Sequence, residues 1–495
     1  MGMDSIRQKL AELQIEKRAF INGRFVTAPH GQTLKKFSSI DGRPLEGLVA
    51  CQAEDVEAAV LAARAAYASR IWRDRDPAEK KAVLLGLADL MEEHRLELAL
   101  LDTLETGRSI KNYYEDSIPK AIEALRWFAE GVDKVYDHAI PPRRNAFATI
   151  TREPLGVVGL ITPWNDPLVV SIWKLAPALL MGNSVVFKPA EWSSFSILLV
   201  AKLAAQAGIP PGVFNVVPGE GEVAGKALAL HPQVDGIFFT GSSQVGKLIL
   251  QYAGQSNMKK VGLECGGKSP FLISQQCSDL TRAAAVLAKN IFYNQGQICS
   301  APSRLLIHEK IKDAFLERLV EEAARFLPSD PLDMSSEVGR LVSAGQKQRV
   351  QEYIAKGIAQ GGQIVFGTAH LPEGITCCSP TIFDHVDPHA AIWREEIFGP
   401  VLVVRSVASM QEAVTLANDS PYGLAASIWT DDLNEAYHIS RLLEAGIVHI
   451  NCYGDDDNTV PFGGFKQSGL GKDKSLYAFD EYSQLKTIWI HLKDL

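Results

Sequence analysis

The sequence has no apolar run that approaches the roughly 20 residues of a membrane-spanning helix. It also has no basic excess, because 50 Lys and Arg stand against 58 Asp and Glu, which gives a formal net charge of −8. A dedicated nucleic-acid binder usually carries a basic stripe. We therefore expect neither a membrane nor a nucleic acid among the partners of this protein.

Cysteine is scarce, and the seven cysteines of the 495 residues are scattered rather than clustered. The first residues resemble a charged amphipathic helix and lack the apolar core and cleavage site of a secretory signal. A disulfide scaffold is therefore not expected, and a reducing cytoplasm is the predicted location. Histidine offers no metal site either, since Pro388 separates His385 from His389 and no third ligand follows.

What is present is the composition of a globular protein, with 46% hydrophobic and 22% charged residues. The length predicts two or three domains. From Glu54 to Val135 the pattern is helical, and Asp76 followed by Pro77 and Glu79 predicts a capped helix start. Gly107 predicts a helix end.

From Thr149 onward, short apolar runs alternate with segments of helix length. This alternation predicts a doubly wound α/β domain with a parallel sheet, whose ligands bind at the carboxyl ends of the strands. The strand candidates are Gly156–Ile161, Ser184–Phe187, Val213–Val217, Gly236–Phe239 and Val261–Leu263. The helix candidates between them are Val169–Leu180, Ser194–Ala207, Val223–His231 and Val245–Ala253.

A second α/β block extends from Gly266 to about Gln467, and two segments fit neither block. Pro141–Glu153 has the alternation of an exposed hairpin, and Gln484–Leu492 has that of a terminal strand. Isolated strands are marginal alone, and open edges invite pairing with another chain. We therefore expect both segments to need partners.

Three turns after predicted strands have the chemistry of a dinucleotide site. Gly219–Ala224 matches the GxGxxA pattern, but glycines occur in any such turn and its two glutamates would face a pyrophosphate badly. Phe239–Gly246 is the better phosphate candidate, because small residues and a hydroxyl open its helix. Lys188 and Glu191 share one loop, where a carboxylate can accept the hydroxyls of a ribose. A surface ion pair is the ordinary alternative for these two residues.

Three further side chains are candidates for the chemistry itself. Cys299 lies among small and polar residues, although most cysteines are buried and inert. Glu264 ends a strand before two glycines that permit close backbone approach. Asn165 lies in a stiff turn between two prolines and can donate a hydrogen bond. The sequence contains no local Cys–His motif.

Together these motifs resemble the NAD(P)-dependent aldehyde dehydrogenase superfamily nearly from end to end. The subgroup that they resemble most is that of the bacterial aminoaldehyde enzymes, of the γ-glutamyl-γ-aminobutyraldehyde type. The matching stretches are Thr162–Pro167, Phe187–Glu191, Phe239–Gly246, Glu264–Pro270, Gly296–Cys299, Glu395–Pro400, Asn418–Leu424 and Pro461–Gly471.

The resemblance implies the α/β fold of that family and its division into domains. Residues 1–135 and 155–265 would form an NAD-binding domain, and residues 266–467 a catalytic domain. Residues 136–154 and 480–495 would form a small β element for oligomerisation. The protein would then be a homodimer or homotetramer in which the tail strand of one subunit extends a sheet of its neighbour.

The same resemblance implies the catalytic roles. Cys299 would attack the aldehyde, and Asn165 with the Cys299 N–H would hold the oxyanion. Glu264 would activate the water that hydrolyses the thioester. Lys174 and Asp473 would relay its proton, although Asp473 stands where many relatives carry Glu. Cys265 replaces the usual Leu and is interpreted as buried packing.

For the cofactor, the resemblance implies NAD held by residues from several turns. Glu191 would repel a 2′-phosphate, which predicts NAD over NADP. The implied cofactor residues are Thr162, Trp164, Lys188, Glu191, Gly221, Gly241, Ser242, Gly246, Glu396 and Phe398.

The substrate is inferred from three residues that would line the substrate tunnel by the same resemblance. Asp166 replaces the aromatic residue that usually follows the oxyanion Asn. Asp456 lies in an acidic loop before Pro461, and the ordinary alternative for this loop is a solvated surface loop. Trp173 would offer its face to a cation. An acidic entrance attracts cations and disfavours carboxylates, so we predict an amine-bearing aldehyde as substrate.

Three alternatives stay open at this point. The protein could prefer an aromatic or plain aliphatic aldehyde, because fold analogy does not identify the substrate. It could transfer the acyl group to CoA instead of water, although the presence of Glu264 favours hydrolysis. It could also be an inactivated binding scaffold, which the presence of Cys299, Glu264 and Asn165 argues against.

Overall fold

The computed structural model describes residues 2–27, 31–141, 143–367 and 376–493. Within these ranges no helix is both long and apolar enough to cross a membrane. The residues at 142, 494 and 495, which end or interrupt predicted segments, lie outside the described ranges. The predicted boundaries between domains stay predictions.

The first helices form the layer that the periodicity predicts. Asp76 caps a helix by the expected box, since its N–H donates to the Glu79 carboxylate at 3.0 Å. That helix ends at Glu93, before the predicted stop, and Gly107 ends the next one with a φ of +76°. The helices are Met3–Glu12, Ala53–Ala68, Pro77–Glu93, Arg95–Thr106, Ile110–Asn112 with a π-turn at Tyr113–Ser117, and Ile118–Gly131.

The first sheet has eight strands, and its centre is the predicted parallel arrangement. The predicted strands are confirmed to within a residue or two at either end. The strand order is Gly469–Leu470, Lys260–Glu264, Gly236–Thr240, Val157–Ile161, Ser184–Lys188, Phe214–Val216, Ala19–Ile21 and Arg24–Val26. The helices between them are Pro167–Leu180, Phe195–Ala207, Lys226–Leu230 after a π-turn at Gly221–Gly225, and Ser243–Gln255.

The second sheet has seven strands, six of them parallel, with only its first strand antiparallel. Its strand order is Gln363–Phe366, Thr381–Asp384, Val401–Val407, Arg304–His308, Pro270–Ile273, Ala425–Trp429 and Ile447–Ile450. Its helices are Leu280–Phe292, Lys312–Ala323, Ala344–Ala359, Ala391–Arg394, Met410–Asn418 and Leu433–Leu442, and Ala478–Glu481 follows near the chain end. A short ladder joins Tyr422–Gly423 to Phe465–Lys466.

The hairpin and the tail form a third sheet together. The hairpin consists of His138–Ala139 and Ala146–Pro154, and the tail strand is Ser483–His491. The tail pairs antiparallel with Ala146–Pro154 of its own chain over nine residues. Within the chain, each of the two segments is thus the partner of the other, and the predicted pairing with another chain stays a prediction.

One short strand brings a late segment of the chain to the edge of the first sheet. Gly469–Leu470 pairs antiparallel with Lys260–Glu264 and so completes the edge of the first sheet. The first sheet places the ends of four strands side by side, since Thr240 pairs with Glu264 and Ile161 pairs with both Phe239 and Lys188. The predicted functional turns therefore meet at one edge.

Candidate active site

Glu264 ends its strand in a buried position, and both of its carboxylate oxygens lack a hydrogen-bond partner within the described part of the chain. Burial raises the pKa of Glu264 well above its usual range, and the neighbouring charge of Asp473 raises it further. The carboxyl group packs against Gly463, where a Cβ would lie 2.4 Å from Oε1. Glu264 is therefore held in a tight, buried position that favours its protonated form.

Lys174 and Asp473 lie next to Glu264, as the sequence predicts. The Lys174 ammonium donates to both oxygens of Asp473, at 3.0 and 2.8 Å, and both side chains are buried. Both line the same small cavity as Glu264, together with Lys472 and Glu481. The shorter Asp side chain at 473 thus reaches Lys174 in this chain.

The segment before Cys299 has an unusual backbone. Asn294 and Gln295 have φ values of +49° and +52°, the left-handed region that non-glycine residues rarely adopt. Their side chains compensate: the Asn294 amide donates to the Asn165 carbonyl at 3.1 Å, and Gln295 donates to the Gly339 carbonyl and accepts the Cys378 N–H. Gln297 accepts the Val342 N–H in the same way. Amide side chains therefore fix the loop that carries the cysteine.

Cys299 lies near the two carboxyl groups of the site, Glu264 and Glu396. Burial raises the pKa of its thiol to about 12, and the charges of Glu396 and Glu264 contribute. Its carbonyl packs against Gly267, where a Cβ would lie 2.7 Å from the oxygen. The turn after Glu264 and the cysteine loop are thus in direct contact, and glycine is required at that contact.

Asn165 and Asp166 lie at the end of strand Val157–Ile161, in a turn that starts the next helix. The guanidinium of Arg108 lies 3.2 Å from the Asp166 carboxylate and 3.8 Å from that of Asp116. Arg108 is buried and also donates to the Tyr293 hydroxyl. The residue after the oxyanion candidate is therefore fixed by an ion pair, and one guanidinium serves two carboxylates.

Lys188 and Glu191 form the predicted cation and carboxylate loop. Lys188 Nζ donates to Glu191 Oε1 at 2.9 Å, and the Gly221 N–H donates to the same oxygen at 2.5 Å. Lys188 is buried, which distinguishes this pair from an ordinary surface ion pair. Gly221 thus directs its N–H to Glu191, and the GxGxxA turn supports this loop.

Glu396 and Phe398 lie on the turn that follows the helix Ala391–Arg394, in contact with Gly267 and Trp164. Glu396 Oε1 accepts the Gly267 N–H at 3.1 Å, and burial raises the pKa of this carboxyl to about 7. The Phe398 ring meets that of Trp164 edge-on at 5.4 Å. Thr162 begins the turn before Trp164, directly after the strand.

The helix Ser243–Gln255 starts at the predicted phosphate turn. The Ser242 side chain accepts the Val245 N–H at 3.3 Å and caps this helix, and Gly241 precedes it. Gly246 permits close packing, since a Cβ there would lie 2.9 Å from the sulfur of Cys265. Cys265 is buried, as expected for a packing residue.

These groups fit the NAD that the resemblance implies. The Lys188 ammonium and Glu191 carboxylate together can serve ribose hydroxyls, which both donate and accept. The N-terminus of the helix Ser243–Gln255 offers backbone N–H groups to an anion. Among the described residues, no group of three or more His, Cys, Asp or Glu is placed to hold a metal ion.

The predicted tunnel residues Trp173 and Asp456 meet at a lysine that the sequence reasoning missed. Lys474 Nζ donates to Asp456 at 2.5 Å and lies 5.5 Å from the centre of the Trp173 ring. His449 contacts the other Asp456 oxygen at 3.2 Å, and these partners hold the pKa of Asp456 well below its usual range. The expectation of an unpaired acidic entrance is therefore not met at this position.

Arg108 and Lys474 are the main site residues that the sequence did not reveal. Neither stands in a recognisable motif, and each meets its partner only through the folding of distant segments. Asp166 offered a hint, because a carboxylate in the turn beside Asn165 requires a cation wherever that turn is partly buried.

Comparisons with known proteins agree with this geometry. A model of the aldehyde dehydrogenase family matches residues 25–488. The chain is 47% identical over 488 residues to the NADP/NAD-dependent aldehyde dehydrogenase PuuC of Escherichia coli (strain K12), covering 98% of each chain. It is 47% identical over 481 residues to the aminoacetaldehyde dehydrogenase of Pseudomonas aeruginosa, covering 97% of each. The structure of the P. syringae AldA indole-3-acetaldehyde dehydrogenase with NAD+ and IAA matches with a TM-score of 0.98 and 46% identity, over 99% of this chain and 100% of that one.

Proposed function

The chain belongs to the aldehyde dehydrogenase family, and on that premise we propose that it oxidises an amine-bearing aldehyde to the carboxylic acid with NAD. The family predicted from the motifs is thereby confirmed. The observation that carries the proposal is the meeting of Cys299, Glu264 and Glu396 at one turn, where two glycines keep the space open.

In this mechanism Cys299 forms a thiohemiacetal with the aldehyde carbon. Its thiol must first release a proton to solvent, which is costly because burial, with smaller contributions from the charges of Glu396 and Glu264, raises the pKa of the thiol to about 12. The Asn165 amide and the Cys299 N–H donate to the oxyanion, and the Asn294 amide keeps the Asn165 backbone in register with the cysteine loop. NAD, when bound in this cleft, would supply the acceptor for the hydride that leaves the substrate carbon.

Glu264 then serves as the base for the hydrolysis of the thioester on Cys299. Because burial raises its pKa, Glu264 holds a proton at rest and must release it before it can accept one from water. The Asp473 carboxylate, which Lys174 holds in the same cavity by donating to it, can accept that proton. The presence of this buried base supports hydrolysis rather than transfer to CoA.

Lys188 and Glu191 would hold the adenosine ribose, and Glu396 the nicotinamide ribose with Phe398 packed nearby. Gly241, Ser242 and Gly246 would form the pyrophosphate turn, while Thr162 and Trp164 would line the cleft. NAD is also the cofactor that the matched structure contains and one of the two that the name of the E. coli relative prints.

The amine-bearing substrate is supported by the name of the P. aeruginosa relative and by the charges around Arg108. The Asp166 carboxylate lies beside Asn165, is 28% exposed, and shares the Arg108 guanidinium with Asp116, which also pairs with Lys120. A substrate ammonium can therefore be attracted to the exposed side of the Asp166 carboxylate.

A panel of aldehydes scored by kcat/KM tests the proposal. It contains 4-aminobutanal, a guanidino aldehyde, indole-3-acetaldehyde, succinic semialdehyde and hexanal, with acyl-CoA formation measured in parallel. We expect the two cationic aldehydes to be the best substrates, and Asp166→Asn to raise KM for them while hexanal changes little. If indole-3-acetaldehyde is best, as the name of the P. syringae relative suggests, the aromatic alternative replaces this one.

We also infer a homodimer or homotetramer in the cytoplasm. The strand Ser483–His491 is at the edge of its sheet and exposes Leu485, Ile488, Trp489 and Ile490. The strand Ile447–Ile450 is an edge of the second sheet. If the tail edge of one subunit paired with this sheet edge of its neighbour, the unpaired backbone N–H and C=O groups of both strands would form hydrogen bonds.

A further inference from the structure

A buried ion pair outside the site binds the loop that carries Glu191. Lys36, from the amino-terminal segment, and Glu105, from the helix Arg95–Thr106, form this pair, and their side chains are 2% and 0% exposed. The Lys36 ammonium donates to the Glu191 carbonyl at 2.7 Å and lies 4.9 Å from the centre of the Phe195 ring. The cation therefore holds the first residue of the loop through its backbone.

Glu105 holds the other end of the same loop. Its two oxygens accept the N–H groups of Ser194 and Phe195, at 2.8 Å each. These are the first N–H groups of the helix Phe195–Ala207, where a negative charge is favoured. The pair thus fixes both ends of residues 191–195, and the Glu191 side chain is left to meet Lys188 and Gly221.

Two charges are costly to bury, and apolar replacements of a buried pair are often as stable. A pair kept for stability alone has no reason to direct all its remaining hydrogen bonds at one loop. We propose that Lys36 and Glu105 are positioning residues for the cofactor, which set the affinity for NAD by fixing the Glu191 carboxylate. This inference rests on the role proposed above for Glu191.

The chain provides a matched control. Lys312 and Asp384 form another largely buried ion pair, with side chains 13% and 8% exposed, at the second sheet. Neither residue contacts a group assigned here to the cofactor. Loss of this pair therefore reports what the removal of a buried lysine does to the fold alone.

The test compares Lys36→Met, Glu105→Gln and Lys312→Met. For the first two we expect KM for NAD and the Kd from NAD titration to rise about tenfold, with kcat at saturating NAD within about twofold of the unmodified enzyme. The double variant Lys36→Met/Glu105→Gln removes both charges together and gives the same readout if a single variant does not fold. For Lys36→Ala, added methylammonium should lower KM for NAD again, because it restores a cation between the Glu105 carboxylate and the Glu191 carbonyl.

Unchanged KM for NAD in Lys36→Met and in the double variant would overturn the proposal, as would an equal rise in Lys312→Met. Glu191→Gln separates this result from the function proposed above. If Glu191→Gln leaves the choice between NAD and NADP unchanged while Lys36→Met raises KM, the ribose role of Glu191 fails and the positioning of the loop stands. If Glu191→Gln alters the choice and Lys36→Met does nothing, only the positioning role fails.

Discussion

The carboxylate of Asp166 is paired with the guanidinium of Arg108 at 3.2 Å, so the residue beside Asn165 is fixed from behind. The Arg108 guanidinium also lies over the rings of Tyr113 and Tyr293, 4.9 and 4.7 Å from their centres. Because Tyr293 directly precedes Asn294, the same arginine contacts both the oxyanion turn and the cysteine loop. This contact makes Arg108 important for the alignment of the two.

Arg108→Met should lower kcat for charged and neutral aldehydes alike, by up to about 100-fold, because a misplaced oxyanion donor costs that much. Steady-state kinetics with 4-aminobutanal and hexanal measure the effect. Arg126→Met removes an exposed arginine of the same domain and should leave both substrates unaffected. Retention of full kcat with hexanal in Arg108→Met would contradict the alignment role.

Cys299→Ala should abolish aldehyde oxidation while NAD still binds, because no other residue provides the covalent bond. Activity assays and NAD titration of the same sample check this. Cys452→Ala, which removes another partly exposed thiol, is the matched control and should stay active. Substantial turnover in Cys299→Ala would exclude the covalent mechanism.

Glu264→Gln should give a rapid burst of NADH followed by turnover slowed about 10²–10⁴-fold, since acylation survives and hydrolysis loses its base. In the unmodified enzyme, hydrolysis should accelerate as pH rises through the raised pKa of Glu264, because only the ionised carboxylate can take a proton. Stopped-flow measurements over pH check both. Loss of the burst would instead place Glu264 in the first half-reaction.

Glu191→Gln should improve the use of NADP relative to NAD, because it removes the charge that repels a 2′-phosphate. The ratio of kcat/KM for the two cofactors is the measurement. Glu222→Gln, which removes an exposed carboxylate from the adjacent π-turn, provides the comparison. An unchanged ratio in Glu191→Gln would show that residues other than Glu191 discriminate between NAD and NADP at the ribose.

Asp102→Asn should make the protein less sensitive to alkaline pH. Asp102 is fully buried, and burial raises its pKa well above the usual value. The folded state then holds a proton that the unfolded state has released, so stability falls as pH rises above about 4, by about 1.4 kcal/mol per pH unit until the folded pKa is reached. Denaturant unfolding at pH 5 and pH 8 checks this, with the exposed Asp89→Asn as control.

Trp489→Lys should shift the protein towards smaller assemblies, since this exposed aromatic lies on the tail strand proposed to meet another subunit. Light scattering at micromolar concentration measures the mass. The control Leu433→Lys changes an exposed leucine that is outside the tail strand, at the start of the helix Leu433–Leu442. A monomeric mass for the unmodified protein would end the proposal of an oligomer.

The ends of the strands could be predicted because short apolar runs and their turns are local signals. Glu264 and Lys188 were located in this way. The break in the helix after Glu93 could not be predicted, because no glycine or proline marks it. The pairing of the tail with Ala146–Pro154 could not be predicted either, because it joins segments that are distant in the sequence. The ion pair of Asp456 with Lys474 could not be predicted either, because it joins residues from two separate loops, and Lys474 has a left-handed backbone, with a φ of +62°, that no local pattern indicates.

The strand Gly469–Leu470, which completes the sheet beside Glu264, has a consequence for the order of synthesis. A ribosome makes Glu264 and Cys299 long before residue 469 emerges, so the catalytic base lacks its neighbouring strand while most of the chain already exists. During a long interval, the nascent chain therefore contains the nucleophile Cys299, while the strand that pairs beside the base Glu264 has not yet been made. A truncated product that ends before Gly469 should accordingly be inactive even with both catalytic side chains present, and its unpaired sheet edge should make it prone to aggregation.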